Sequence, residues 1–254
     1  SAEIDEVVRQ IAERLEGLPL AIELAAPQLA SHTPSELLVA LDDQLSVLAT
    51  RRRRGQTRHS AMDDAIAWSY ELLDPTQREI LDGLSLFSGA FTVQAVEAVC
   101  DTKDARRILH DLVGQSMVSF VPGSPTSRFR LLEPIRQFAD RQLDKKRSEA
   151  LQERHARWFA HRGIELGREM RTPNEIEACE ALTAEWSDFR RALAWGREHK
   201  EPDIAVEPLL ALQIHLLWQL RIEAFAWLEA GVAVCELSVP MKARAEIVGS
   251  MGAW

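Results

Sequence analysis

The chain is poor in the residues and runs that mark secreted, membrane-spanning or metal-dependent proteins. It has three cysteines, Cys100, Cys179 and Cys235, an odd number set far apart without CxxC or Cys/His spacing. Neither a disulfide framework nor a zinc site is therefore expected, and a reducing, cytoplasmic setting fits best. No apolar run approaches the roughly 20 residues of a membrane span, and no basic start leads into an apolar signal segment, so no membrane contact is expected. There is no HExxH, GxSxG or GxxxxGK[ST], which leaves no catalytic residue, no metal ligand and no phosphate loop to nominate. An initiator methionine is also lacking. The chain begins at Ser1 and stops at Trp254 inside a helical pattern, so we expect a piece of something longer. With 254 residues, 46% of them hydrophobic and 27% charged, there is enough material for one large domain or two to three small ones.

The periodicity changes twice along the chain. From Ala2 to Ala49 apolar residues recur at helical spacing, as Val7, Val8, Ile11 and Leu15, then Leu20, Ile22, Leu24 and Ala25, then Leu37, Leu38, Leu41 and Leu45. These predict three helices, with Gly17 closing the first and Pro19 in the first turn of the second. Residues 1–50 hold nine acidic and two basic side chains, a local balance of −7. Amphipathic helices are predicted at 60–73, 76–87, 92–99 and 104–115. Val118/Phe120 and Phe129/Leu131 then alternate with polar residues around PGSPTS, which predicts a β-hairpin before a last helix at 133–143. Helices followed by one hairpin outline a winged helix. Beyond Arg147 only helices are expected, and Trp186 and Trp195 recur as Trp218 and Trp227, each displaced by 32, near the period of α-solenoid helix pairs. The fold class is thus mainly α: a helical domain at 1–50, a basic linker at 51–59, a winged helix at 60–145 and a truncated solenoid at 147–254.

The linker, RRRRGQTRHS from Arg51 to Ser60, puts five arginines and a histidine into ten residues of a chain with net charge −9. Such density can mark a polyanion site. Three readings stand: a solvated hinge at Gly55, a latch of Arg51–Arg54 onto an acidic face or nucleotide phosphate, or a nucleic-acid contact.

GLPLAIELAA (17–26), RHSAMDDAIAWSYELL, LDGLSLFSGAFTVQAVEAVC and RFRLLEPIRQFADRQL together resemble the region that follows the P-loop core in bacterial STAND proteins. These are NB-ARC-like ATPase regulators, often joined to cyclase or LuxR-type modules. LTAEWSDFRRALAW and FAWLEAGV are similar to the start of their TPR-like sensor. The resemblance implies a nucleotide-operated switch in signalling or transcriptional control. An upstream ATPase core, the helical domain and the winged helix would close around ADP, and exchange for ATP would open them for self-association. It implies ATP or ADP in the full-length protein, little binding by this piece, and no enzymatic activity of its own. Its partners would be its own upstream core and a protein or small-molecule effector met through the TPR-like part. It also implies that Leu18, Pro19 and Leu20 form an edge facing the adenine. The same residues read without the family are a helix-to-helix turn with Leu20 in the core.

Two departures qualify the likeness. The P-loop and acidic Walker B strand are outside this sequence. Where eukaryotic relatives carry Met-His-Asp at the end of the hairpin, this chain has Leu131-Leu132-Glu133, and leucine cannot donate to a phosphate. Arg128, Arg130 and Arg136 are the candidates to replace it. Other chemistry is weaker. His155 and His161 are about 240° apart around a helix and cannot share one ion. The tryptophans sit at core spacing. The DARRILHDLVGQ helix (104–115) balances Arg106 and Arg107 against Asp104 and Asp111, so no direct DNA binding by this piece is expected. The alternative is a stand-alone winged-helix DNA-binding transcription factor with a helical ligand-sensing domain.

Overall fold

The computed structural model describes residues 2–41, 60–123, 126–218 and 222–252; the basic run Arg51–Arg54 and Gly55 lie outside the described residues. The chain divides into two compact units: residues 1–85 with 103–143, and residues 86–102 with 144–254.

The first unit opens with α1 (Ala2–Arg14), which the left-handed Gly17 (φ 63°) ends. Pro19 then begins α2 (Pro19–Ala25). The second predicted helix does not run on to Ser31: from Ala26 to Ala30 the chain tightens into a 3-10 turn, because Pro27 brings no N–H and its ring crowds the preceding turn. Residues 34–41 form α3, whose Leu37 and Leu41 are buried, as are Ile11, Leu15, Leu24 and Ala25. The next helices are α4 (Ser60–Glu71), which packs on α2, and α5 (Pro75–Leu84). Asp74 caps α5 by a capping box with Gln77, and Pro75 occupies the first turn, where a missing N–H costs nothing. After these come α7 (Ala105–Gly114) and a hairpin of β2 (Ser119–Val121) and β3 (Arg128–Arg130), with Phe120 opposite Phe129. Closing the unit, α8 (Glu133–Asp140) packs on α4 and α5. Tyr70 of α4 meets Phe138 of α8 edge to face at 5.3 Å, and Arg141 reaches Asp63 at 3.7 Å.

The second unit is helical apart from β1 (Phe91–Thr92). Its α6 (Val93–Cys100) packs on α9 (Lys145–Glu169), which forms a hairpin with α10 (Glu175–Glu198). Next in order are α11 (Pro202–Ala205), α12 (Glu207–Trp218), α13 (Ile222–Val234) and α14 (Val239–Gly252). A Cβ at Gly167 of α9 would lie 2.5 Å from the Ala211 carbonyl oxygen, so only glycine lets α9 and α12 cross this closely. The architecture is one of packed helix pairs, yet the 32-residue offset does not describe it. Trp186 and Trp195 share the single helix α10, whereas Trp218 ends α12 and Trp227 lies in α13. Three of them have unlike surroundings: Trp186 Nε1 donates to Glu223 at 2.8 Å, Trp195 stacks on His199, and Trp227 lies under the Arg197 guanidinium.

Asp188 is the polar centre of this unit. Its side chain is 0% exposed and accepts from Ser88 N (2.7 Å), Gly89 N (3.2 Å) and His155 Nε2 (3.1 Å). A carboxylate can only accept, so the imidazole carries its proton on Nε2. Around it Phe87, Phe91, Phe159 and Phe189 form a chain of ring contacts between 4.8 and 6.2 Å. Arg191 Nη1 donates to Leu86 O at 2.8 Å and Arg154 Nε to Val99 O at 2.6 Å, so helices α9 and α10 hold residues 86–102 at both ends.

Candidate nucleic-acid interface

In a winged helix the helix before the hairpin is the one that meets a groove, and here that helix is α7. Ala105, Ile108, Leu109 and Leu112 recur at helical spacing and are all buried, which fixes the rotation of the helix and turns Arg106, Arg107 and His110 outward. Lys103 is exposed in the turn leading into α7. The charges of this helix are not evenly mixed. Arg107 Nη1 pairs with Asp111 Oδ2 at 3.2 Å, whereas Lys103 and Arg106 are ion-paired to nothing among the described residues. With Lys103 included, the outward face carries one net positive charge, Asp111 being engaged by Arg107 and Asp104 lying exposed between Lys103 and Arg106.

The hairpin adds an aromatic and a cation. Phe120 is 51% exposed and meets Phe129 edge to face at 5.8 Å, with Gly123 (φ 88°) turning the chain beyond β2. Of the three arginines nominated from sequence, Arg128 is buried at the β3 start, and Arg136 is held by Glu133 through bonds of 2.7 and 2.8 Å. That pairing, with a further hydrogen bond from Gln137, pulls the Glu133 carboxyl down to about 2 and leaves Arg136 more firmly charged than usual. Only Arg130 is both exposed and without an ion-pair partner among the described residues. Leu131-Leu132-Glu133 carries no side-chain donor to a phosphate; Leu132 is the N-cap of α8 and makes no side-chain cap hydrogen bond.

The GLPL edge lies elsewhere in the first unit. Leu18 is the N-cap of α2 and half-buried, Pro19 is exposed and Leu20 half-buried, while Ala21, Leu24 and Ala25 turn inward. Leu18, Pro19 and Leu20 thus present a partly uncovered apolar edge, flanked by Ile22 at 38% exposure. The cysteines are not poised as nucleophiles: burial pushes the Cys100 thiol up to about 12 and also raises Cys179 and Cys235. Among the described residues no group of three or more His, Cys, Asp or Glu is arranged to hold a metal ion, and no helix is long and apolar enough to cross a membrane.

Helices, α7 and hairpin in this order define a winged helix-turn-helix domain, and residues 73–144 match that family. Over a longer stretch of 216 residues the chain is 31% identical to proteins provisionally named HTH-type transcriptional regulators in Mycobacterium tuberculosis (strain ATCC 25618 / H37Rv) and Mycobacterium bovis. Those matches cover 83% of this chain and 24% of each relative. It is also 29% identical over 145 residues to an uncharacterized protein of the same Mycobacterium tuberculosis strain, covering 55% of this chain and 37% of that protein. The chain therefore spans about a quarter of the length of the regulators it matches.

Proposed function

We propose that this chain is the winged-helix and effector-sensing part of a cytoplasmic DNA-binding transcriptional regulator, with α7 as the groove-facing helix. The observation that carries the reading is the face of α7, where Lys103 and Arg106 have no ion-pair partner among the described residues and Arg107 is balanced by Asp111, together with a wing bearing Arg130 and Phe120. Three free cations supply modest, salt-sensitive affinity, and an exposed wing aromatic suits the minor groove or a base step. Helices α9 to α14 are the part that senses an effector.

Fluorescence anisotropy with a labelled duplex tests this directly. Three phosphate contacts give a slope of log K against log salt of about −3. Arg106→Ala should make the slope shallower by about 1, and Asp111→Asn, which releases Arg107, should steepen it by about 1. Absence of binding at low salt, or slopes indifferent to both variants, would sink the reading.

A second reading is favoured by the uncovered Leu18-Pro19-Leu20 edge, which is what an adenine or an upstream core would cover. In it the chain belongs to a STAND-type ATPase regulator, related to LuxR-type or cyclase-linked forms, with ATP or ADP held by the missing core. This piece would then bind nucleotide weakly and hydrolyse none. Calorimetry with magnesium and ATP should give no tight binding to this chain alone, and Pro19→Ala should weaken its capture by a separately expressed upstream segment. Tight binding to the isolated chain would reject that arrangement.

A further inference from the structure

A cavity of about 230 Å³ opens between the end of α9, the start of α10 and α12, wholly within the second unit. Its apolar part is made by Met170, Ala211 and the buried Leu212, and Gly167 lines it where α9 and α12 are in close contact. His215 forms one wall, fixed in rotation because its Nδ1 meets Cys179 Sγ at 3.1 Å. At the rim stand one cation, Arg171, and one anion, Glu175, both exposed and neither ion-paired among the described residues.

We propose that this cavity binds a free, zwitterionic α-amino acid with a branched apolar side chain. It would place its carboxylate on Arg171, its ammonium on Glu175 and its side chain against Met170 and Leu212. Size sets the first limit. At about 30 Å³ per water-sized group, 230 Å³ holds about eight non-hydrogen atoms. That matches a branched-chain amino acid and excludes a nucleotide or a drug-sized ligand, which need upwards of about 300 Å³. Charge sets the second. A ligand with one charge satisfies one rim group and desolvates the other without a partner, whereas a zwitterion completes a charge-assisted hydrogen bond at each end. The inference rests on the reading of α9 to α14 as the effector-sensing part and does not depend on whether α7 binds DNA.

Calorimetry on the intact chain tests it with L-leucine, L-valine and L-isoleucine as probes, alongside N-acetyl-L-leucine, which lacks the ammonium, and L-leucinamide, which lacks the carboxylate. Saturable one-to-one binding is expected for at least one free amino acid, with each capped form weaker by about tenfold or more. Arg171→Gln and Glu175→Gln should each weaken binding similarly while leaving the melting temperature of the free protein unchanged, since both side chains are exposed. Leu212→Trp, which fills the cavity, should abolish it. No saturable heat with any probe at millimolar concentration overturns the proposal. So does equal affinity for the capped forms, or indifference to both rim variants. The duplex anisotropy measurement made without amino acid reports on DNA binding separately, so failure of one does not masquerade as failure of the other.

Discussion

Asp188 and His155 show how much one buried pair can govern. The carboxylate organises two backbone N–H groups and an imidazole in a setting that excludes water. Burial lowers the affinity of His155 for a second proton and outweighs the opposite pull of Asp188. Folded protein therefore keeps this histidine neutral, whereas the unfolded chain takes up a proton as pH falls below about 6.5. This contribution is fully present above that pH and is lost as pH falls, at up to about 1.4 kcal/mol per pH unit. Urea unfolding between pH 8 and pH 5 should show it, and His155→Gln should be less stable at pH 8 yet have a shallower slope below pH 6.5. Parallel curves for the two proteins would remove the histidine from the account. Asp188→Ala, which strands three donors, should cost about 3 kcal/mol at pH 8.

At the scale of elements, what could be read from the sequence follows from which forces are local. Caps and periodicity are local, so α5, α6, α7 and the hairpin lie within three residues of their expected places, with Asp74 and Thr92 as the capping residues. A proline is local too: Pro27 sits inside the apolar run, and there the helix gives way to a 3-10 turn. Charge on α7 was summed along the chain, when its effect depends on which side chains the buried stripe turns outward and which are already paired. The offset of the tryptophans resembles a repeat because ALAW and AFAW both suit helix packing; the helix breaks assign them to unlike places, Trp195 to α10 and Trp227 to α13. The cavity beside Gly167 had no signal at all. Arg171 and Glu175 are ordinary surface residues in sequence, and His215 joins them only because α12 packs across α9.

At the scale of the whole molecule, the chain passes between its two units three times, at residues 85, 102 and 143. The segment that matches the winged helix-turn-helix family, 73–144, includes residues 86–102, whose Leu86, Ser88, Gly89 and Val99 bond to Arg191, Asp188 and Arg154. An excised 73–144 is expected to unfold without a cooperative transition, and circular dichroism on heating would reveal it. The Ser88–Asp188 bond joins residues 100 apart. During synthesis, at about 5 to 20 residues per second, the strand and helix made first must wait about 5 to 20 seconds for the carboxylate that completes them. Through the first two thirds of that interval Phe87 and Phe91 lack Phe159, and through all of it Phe189, and the nascent chain offers a sticky aromatic surface to its neighbours on the ribosome. Refolding from denaturant should accordingly be slow for so helical a protein, and its yield should fall as concentration rises.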